Sequence, residues 1–109
     1  MGELAQKRCI PCEGGTPPLE RSRSEKLLLQ LPGWKLSDDG KKISKQYVYA
    51  DFAETLAFAN KVGAIAEQEN HHPDIFISWG KANVTLSTHS IGGLSENDFI
   101  VASKIEEIP

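Results

Sequence analysis

Hydrophobic positions along this chain change period several times, and each change marks an element. From Ser22, with the acid Glu25 three residues on as a capping box, Leu27, Leu28 and Leu31 form a short helical face that Pro32-Gly33 ends. Trp34 to Leu36 reads as a strand, Asp38-Asp39-Gly40 as a turn, and Ile43, Tyr47 and Tyr49 as one face of the returning strand. Lys45 falls on that same face and breaks the alternation. Asp51 and Glu54 open the clearest helix. Phe52, Leu56, Ala59, Gly63 and Ala66 recur there at helical spacing, flanked by Phe58, Val62 and Ile65. This helix must stop near Asn70 to His72, because the residue before Pro73 is pushed out of the α region. Ile75, Ile77 and Trp79 then alternate with Phe76 and Ser78, Gly80-Lys81 is a turn, and Val84, Leu86 and Thr88 alternate with Asn83, Thr85 and Ser87. Ser95 with Asp98 caps a last helix through Ala102 and Ile105 towards Ile108, with Leu94 and Phe99 as its hydrophobic staple.

The order is helix, strand, strand, helix, strand, strand, helix. Two hairpins interleaved with helices predict an α+β fold: one four-stranded antiparallel sheet with three helices packed on one face. The other face, or the sheet edges, would stay open and favour self-association. Residues 1–18 read as a flexible leader, because Gly14-Gly15 and Pro17-Pro18 break any regular element. Residues 19–109 then form a single domain.

With 109 residues the chain is long enough for one core and too short for two. A formal net charge of −3 argues against nucleic acid as the main partner, since phosphate binding needs a basic surface. No apolar run approaches the roughly 18 residues of a membrane helix, and Met1 to Arg8 lacks the apolar core of a signal peptide. A soluble cytoplasmic protein is the expectation. Cys9 and Cys12 form a lone CxxC around Ile10-Pro11. A structural zinc would need two further ligands, and a redox pair would sit at a helix start after a strand. An exposed tail with two free thiols is the favoured reading, with an intermolecular zinc or disulfide clamp as the alternative.

All three histidines, His71, His72 and His89, fall within one nineteen-residue span. Imidazole exchanges protons near neutral pH, so three in one place suggest proton-transfer chemistry. Each residue nevertheless has a plain structural role open to it. His71 and His72 could complement a helix C-terminus, and Glu67 could pair with His71 one turn on. Asp98 could serve only as the acid of its cap, and Trp79 only as core. Sheet topology can bring the helix end at 71–72 beside the strand end at 89, and that combination favours catalysis. One imidazole could protonate a leaving hydroxyl while another removes a proton from the neighbouring atom, each transfer worth about 10²–10⁴ in rate. Zinc ranks below this, because adjacent histidines seldom point the same way and no HxH or HxxxH is present. Neither a GxSxG nor a nucleotide-binding glycine motif occurs.

These residues resemble the pterin-4a-carbinolamine dehydratases. Glu67, then three residues, His71-His72-Pro73, Trp79, Thr88-His89 and Asp98 follow that family's spacing, and Gly93-Leu94-Ser95 and Leu31-Pro32-Gly33-Trp34 extend the likeness from about Leu27 through Ile108. The resemblance implies the four-stranded sheet with three helices on one side, a homodimer or homotetramer, and no metal or organic cofactor. It implies a hydro-lyase that removes water from 4a-hydroxytetrahydropterin to give quinonoid dihydropterin, in tetrahydropterin recycling. By position, His71 and His89 would be general acids towards the departing hydroxyl, and His72 would bind the ring and help remove the N5 proton. Asn70, Ser87, Thr88 and Ser90 would line the pocket. Glu67 and Asp98 would orient imidazoles or hold the loop, and Trp79 would form part of the wall. The same resemblance leaves open a non-catalytic pterin-binding or dimerisation module, or a role in molybdopterin metabolism.

Overall fold

In a computed structural model, which describes residues 2–9 and 17–108, the strands form one antiparallel sheet in the order β1-β2-β4-β3. They are β1 (Lys35–Leu36), β2 (Ile43–Val48), β3 (Asp74–Ser78) and β4 (Lys81–Leu86). Helices α2 (Arg21–Leu28), α3 (Phe52–Glu69) and α4 (Glu96–Glu106) cover one face, with a short α1 (Gly2–Gln6) ahead of them and a 3-10 turn at His89–Ile91. Ile43, Ala82, Val84 and Leu86 point from the sheet into the core, where they meet Phe58, Val62, Phe99, Val101 and Ile105. Ser44, Gln46, Asn83 and Thr85 alternate with them on the uncovered face, as the two-residue period of a strand demands.

Three details of the fold differ from the sequence expectation, and one irregularity that the sequence showed, Lys45, finds its physical reason. Helix α2 starts at Arg21 with Glu20 as its cap residue and no side-chain cap bond, so Ser22 and Glu25 lie inside the helix. Helix α3 buries Thr55, Phe58, Ala59, Val62, Ala66 and Glu69, while Phe52 and Leu56 stay exposed. The helix is apolar on two adjoining faces, so its period alone could not say which one meets the core. Lys45 does share the core-facing side of β2, but its ammonium reaches Glu106 on α4 at 2.8 Å, where Trp34 and Tyr47 also donate to the same carboxylate oxygen. A charge on an apolar face is tolerated when it is paired and hydrogen-bonded.

The third difference lies in the leader. Leu4 and Ala5 of α1 are buried against α4, and Lys104 donates to the Ala5 carbonyl at 2.7 Å. The Cys9 N–H donates to buried Glu69 at 2.9 Å, and Lys7 pairs with Glu96. Residues 2–9 thus carry a regular element and several long-range contacts where irregular chain was expected. Cys9 is half-buried and its thiol is pushed up to about 12, first by burial and then by the Glu69 carboxylate. Ile10, Pro11, Cys12, Gly14 and Gly15 lie outside the described residues.

Candidate active site

Helix α3 is opened by Asp51, whose carboxylate accepts the Glu54 N–H at 2.9 Å, and closed by Asn70 in the left-handed conformation at φ 52°. Asparagine is the commonest residue after glycine to adopt that shape, and it turns the chain sharply away from the helix axis. The His71 N–H still reaches back to the Ala66 carbonyl at 3.2 Å, and His72, preceding Pro73, leads directly into β3. The first pair of the next hairpin, Asp74 with Thr85, sets this end of β3 beside the outgoing end of β4. Thr88 and His89 follow two and three residues after β4 ends at Leu86. Chain topology therefore brings the two histidine-bearing segments to one end of the sheet.

Asp98 joins them. It is fully buried, and its two oxygens serve different partners. Oδ1 lies 2.6 Å from Nε2 of His71, a largely buried imidazole. A carboxylate only accepts, so the shared proton belongs to Nε2, and Nδ1 is the atom left for chemistry. Oδ2 accepts from the Thr88 hydroxyl at 2.7 Å and from the Ser95 N–H at 3.0 Å. The second of these closes the cap of α4, so the capping role and the histidine-orienting role belong to one side chain. Thr88 and Ser95 hydroxyls are themselves 2.8 Å apart.

His72 pairs through Nε2 with Glu67 at 2.5 Å on the surface; Glu67 thus reaches His72 rather than the His71 that helical spacing suggested. His89 opens the 3-10 turn and is exposed, with no hydrogen bond from its imidazole to another described residue. Asn70 and Ser90 are exposed and Ser87 is half-buried beside this mouth. Thr88, expected in the pocket lining through backbone or side-chain contacts, is buried at this mouth. Its hydroxyl is occupied by Asp98 and Ser95, and its backbone pairs with Gly93, so it stands behind the site and holds it. Gly93 also lets Pro18 pack closely beside it, because a Cβ there would come to 2.8 Å from the Pro18 side chain.

Trp79 is elsewhere. It occupies the β3–β4 turn, 70% exposed, at the opposite end of β3 from the histidines. At about 3.3 Å per residue, the five residues of β3 separate it from the histidine mouth by roughly 17 Å. Within one chain it is no wall of this site. Among the described residues, no three His, Cys, Asp or Glu side chains gather as a metal site.

The arrangement can be compared with known proteins. The model of a family described as pterin 4 alpha carbinolamine dehydratase matches residues 17–108. The chain belongs to that family. A Rubrobacter xylanophilus relative, named "Putative pterin-4-alpha-carbinolamine dehydratase", is 46% identical over 99% of this chain and 100% of its own length. Among solved structures, a Brucella melitensis protein described as a transcriptional coactivator/pterin dehydratase superposes with a TM-score of 0.77 at 31% identity, covering 82% of this chain and 95% of that one. A pterin dehydratase-like protein identified as a RuBisCO assembly factor in the alpha-carboxysome shares the fold, with a TM-score of 0.59 at 23% identity over 68% of this chain and 86% of its own. The α+β architecture with a four-stranded antiparallel sheet is that of the pterin dehydratases. No helix among the described residues is long and apolar enough to cross a membrane.

Proposed function

We propose that this protein is a hydro-lyase that dehydrates 4a-hydroxytetrahydropterin to quinonoid dihydropterin by histidine acid–base catalysis. The observation that carries the reading is Asp98, whose two oxygens tie His71 to the segment bearing His89. In the reaction the C4a–O bond breaks, the hydroxyl leaves as water after accepting a proton, and the N5–H proton is lost as the C=N bond forms. His71, with Nε2 bound to Asp98, presents Nδ1 as one donor to the departing hydroxyl, and exposed His89 is the second. His72, backed by Glu67, receives the N5 proton. Asn70, Ser87 and Ser90 line the mouth. The adjacent ring nitrogen already assists departure of the hydroxyl, so positioned imidazoles worth about 10²–10⁴ each suffice. The functional unit is a homodimer or homotetramer working in the cytoplasm in tetrahydropterin recycling.

The test is direct. Protein is mixed with freshly generated 4a-hydroxytetrahydropterin and the ultraviolet absorbance is followed. Acceleration that falls at least about a hundredfold in both His71→Ala and His89→Ala supports the mechanism. Unchanged rates in both variants exclude it.

A second reading, a non-catalytic interaction module on the same scaffold, draws on the solvent-facing Phe52 and Leu56 of α3. The names of the two structural neighbours point the same way, one a coactivator and the other an assembly factor. Absence of any acceleration by the wild-type protein would favour it.

A further inference from the structure

The leader meets the framework of the histidine site at both of its described ends. Its first stretch lies along α4, with Leu4 in the core and Ala5 buried beside it. Lys7 pairs with Glu96 at 2.9 Å, and Cys9 then reaches the end of α3. There the Cys9 N–H donates to Oε1 of Glu69 at 2.9 Å, and the thiol lies 3.6 Å from the Asn97 carbonyl. The far end meets the loop between β4 and α4. Pro18 lies close beside Gly93, and the Leu19 N–H donates to the Leu94 carbonyl at 2.8 Å.

The groups that receive these contacts are neighbours of the His71–Asp98 pair. Glu69 is the final residue of α3, two positions before His71, and Asn97 immediately precedes Asp98. Gly93 and Leu94 stand between His89 and the Ser95 cap. Glu69 matters most. Its side chain is only 3% exposed, and a carboxylate so placed needs partners. Oε1 takes the Cys9 N–H, and Oε2 faces the Lys104 ammonium at 3.6 Å. Lys104 in turn donates to the Ala5 carbonyl at 2.7 Å, so both partners of Glu69 are bound up with the docked leader. The end of the leader also lies within the field of the site. After burial and Glu69, the Asp98 charge adds to the upward push on the Cys9 thiol.

We propose that residues 2–9 are a positioning part of the active site: docked on α4, they hold Glu69 and Asn97, and through them His71 and Asp98. This rests on reading the histidine cluster as the dehydratase site. With Glu69 held, only Asn70 intervenes before His71, and its left-handed conformation sets the direction in which the chain leaves the helix. With the leader undocked, the Glu69 charge gains more by turning to water than by staying in place. The last turn of α3, already short of backbone partners, then frays. Asp98 stays where the α4 cap puts it, so His71 is the member of the pair that drifts. The segment acts through Glu69 and Asn97 rather than on the imidazoles themselves.

Two variants of the whole chain loosen the leader by different means. Leu4→Asp puts a charge at a buried apolar position, and Cys9→Pro removes the N–H that Glu69 accepts. In each, kcat should fall about tenfold or more with KM nearly unchanged, because His71 is misplaced while the rest of the pocket stands. Cys9→Ser, which keeps the N–H, should restore most of the rate lost in Cys9→Pro. A second measurement needs no activity. The Nε2 proton that His71 shares with Asp98 should give a downfield NMR signal, assigned by its loss in His71→Gln, that broadens in both leader variants. If Leu4→Asp fails to fold, Cys9→Pro decides by the same two readouts. An unchanged signal overturns the proposal, whatever the rate does. So does a broadened signal with wild-type kcat in an active enzyme, since catalysis then needs no such hold. If the signal broadens and wild type has no dehydratase activity, the positioning stands and the catalytic reading fails.

Discussion

His71 and Asp98 meet at 2.6 Å between Nε2 and Oδ1, and the carboxylate has no solvent contact at all. The pair anchors an imidazole that would otherwise swing freely beyond a helix end, and it fixes which ring nitrogen faces outward. Because the other oxygen of Asp98 holds Thr88 and the α4 cap, the histidine is referenced to the core.

Asp98→Asn tests that relationship. The amide keeps the shape but supplies an N–H where both carboxylate oxygens had accepted, so one contact becomes donor against donor. We expect kcat to fall about a hundredfold or more with a smaller change in KM, and stability to drop by about 1–3 kcal/mol. Steady-state kinetics with urea unfolding checks both. Wild-type kcat in a folded variant would refute the orienting role.

Thr88→Val isolates the support from the catalyst. The substitution keeps volume and removes the hydroxyl that Asp98 and Ser95 share, leaving buried polar atoms one partner short. A loss of about 1–3 kcal/mol is expected. Thr88→Ser should recover most of it. A stable Val variant in urea unfolding would show that water replaces the hydroxyl.

Asn70 offers a backbone test. At φ 52° a residue with a Cβ is strained by about 1–2 kcal/mol unless a short polar side chain compensates. Asn70→Gly should therefore be as stable as wild type, and Asn70→Ala less stable, by thermal unfolding. If the Gly variant is stable but binds pterin more weakly, the amide itself contacts the ligand.

The cluster around Glu106 predicts a pH dependence of stability. Burial raises the Glu106 carboxyl, but hydrogen bonds from Lys45 and Tyr47 and the Lys45 charge outweigh it and hold the group below its ordinary 4.5. Burial, followed by that carboxylate, raises the Tyr47 phenol above its ordinary 10.0. A lowered acid stabilises above its unfolded value and loses that contribution as pH falls through the folded one. A raised phenol stabilises below its unfolded value and loses it as pH climbs towards the folded one. Wild-type Tm should be level between about pH 5 and 9 and decline outside. Glu106→Gln should have a lower plateau and shallower declines; equal declines would refute the assignment.

Cys9 reports on the docked leader. With its thiol pushed up to about 12, little thiolate exists at neutral pH. In a Cys12→Ser background, alkylation by iodoacetamide should be far slower in native protein than in urea. Equal rates would mean that residues 2–9 are not held against α3 and α4.

Local chemistry was legible wherever neighbours in sequence carry it. Asp51 with Glu54, the stop before Pro73, the turn at Gly80 and the Ser95–Asp98 cap each need only residues a few positions apart, and each stands where its pattern says. Patterns that depend on a distant surface were ambiguous. Ser22 and Glu25 have the spacing of a cap that α2 does not use, and the two apolar faces of α3 compete until the core selects one. Lys45 looked like an error in a strand until Glu106 arrived from the last helix. Most instructive is Asp98, for which a cap and an active-site role stood as alternatives. A carboxylate has two oxygens, and only folding brings a second partner, 27 residues away, to the one that the cap leaves over.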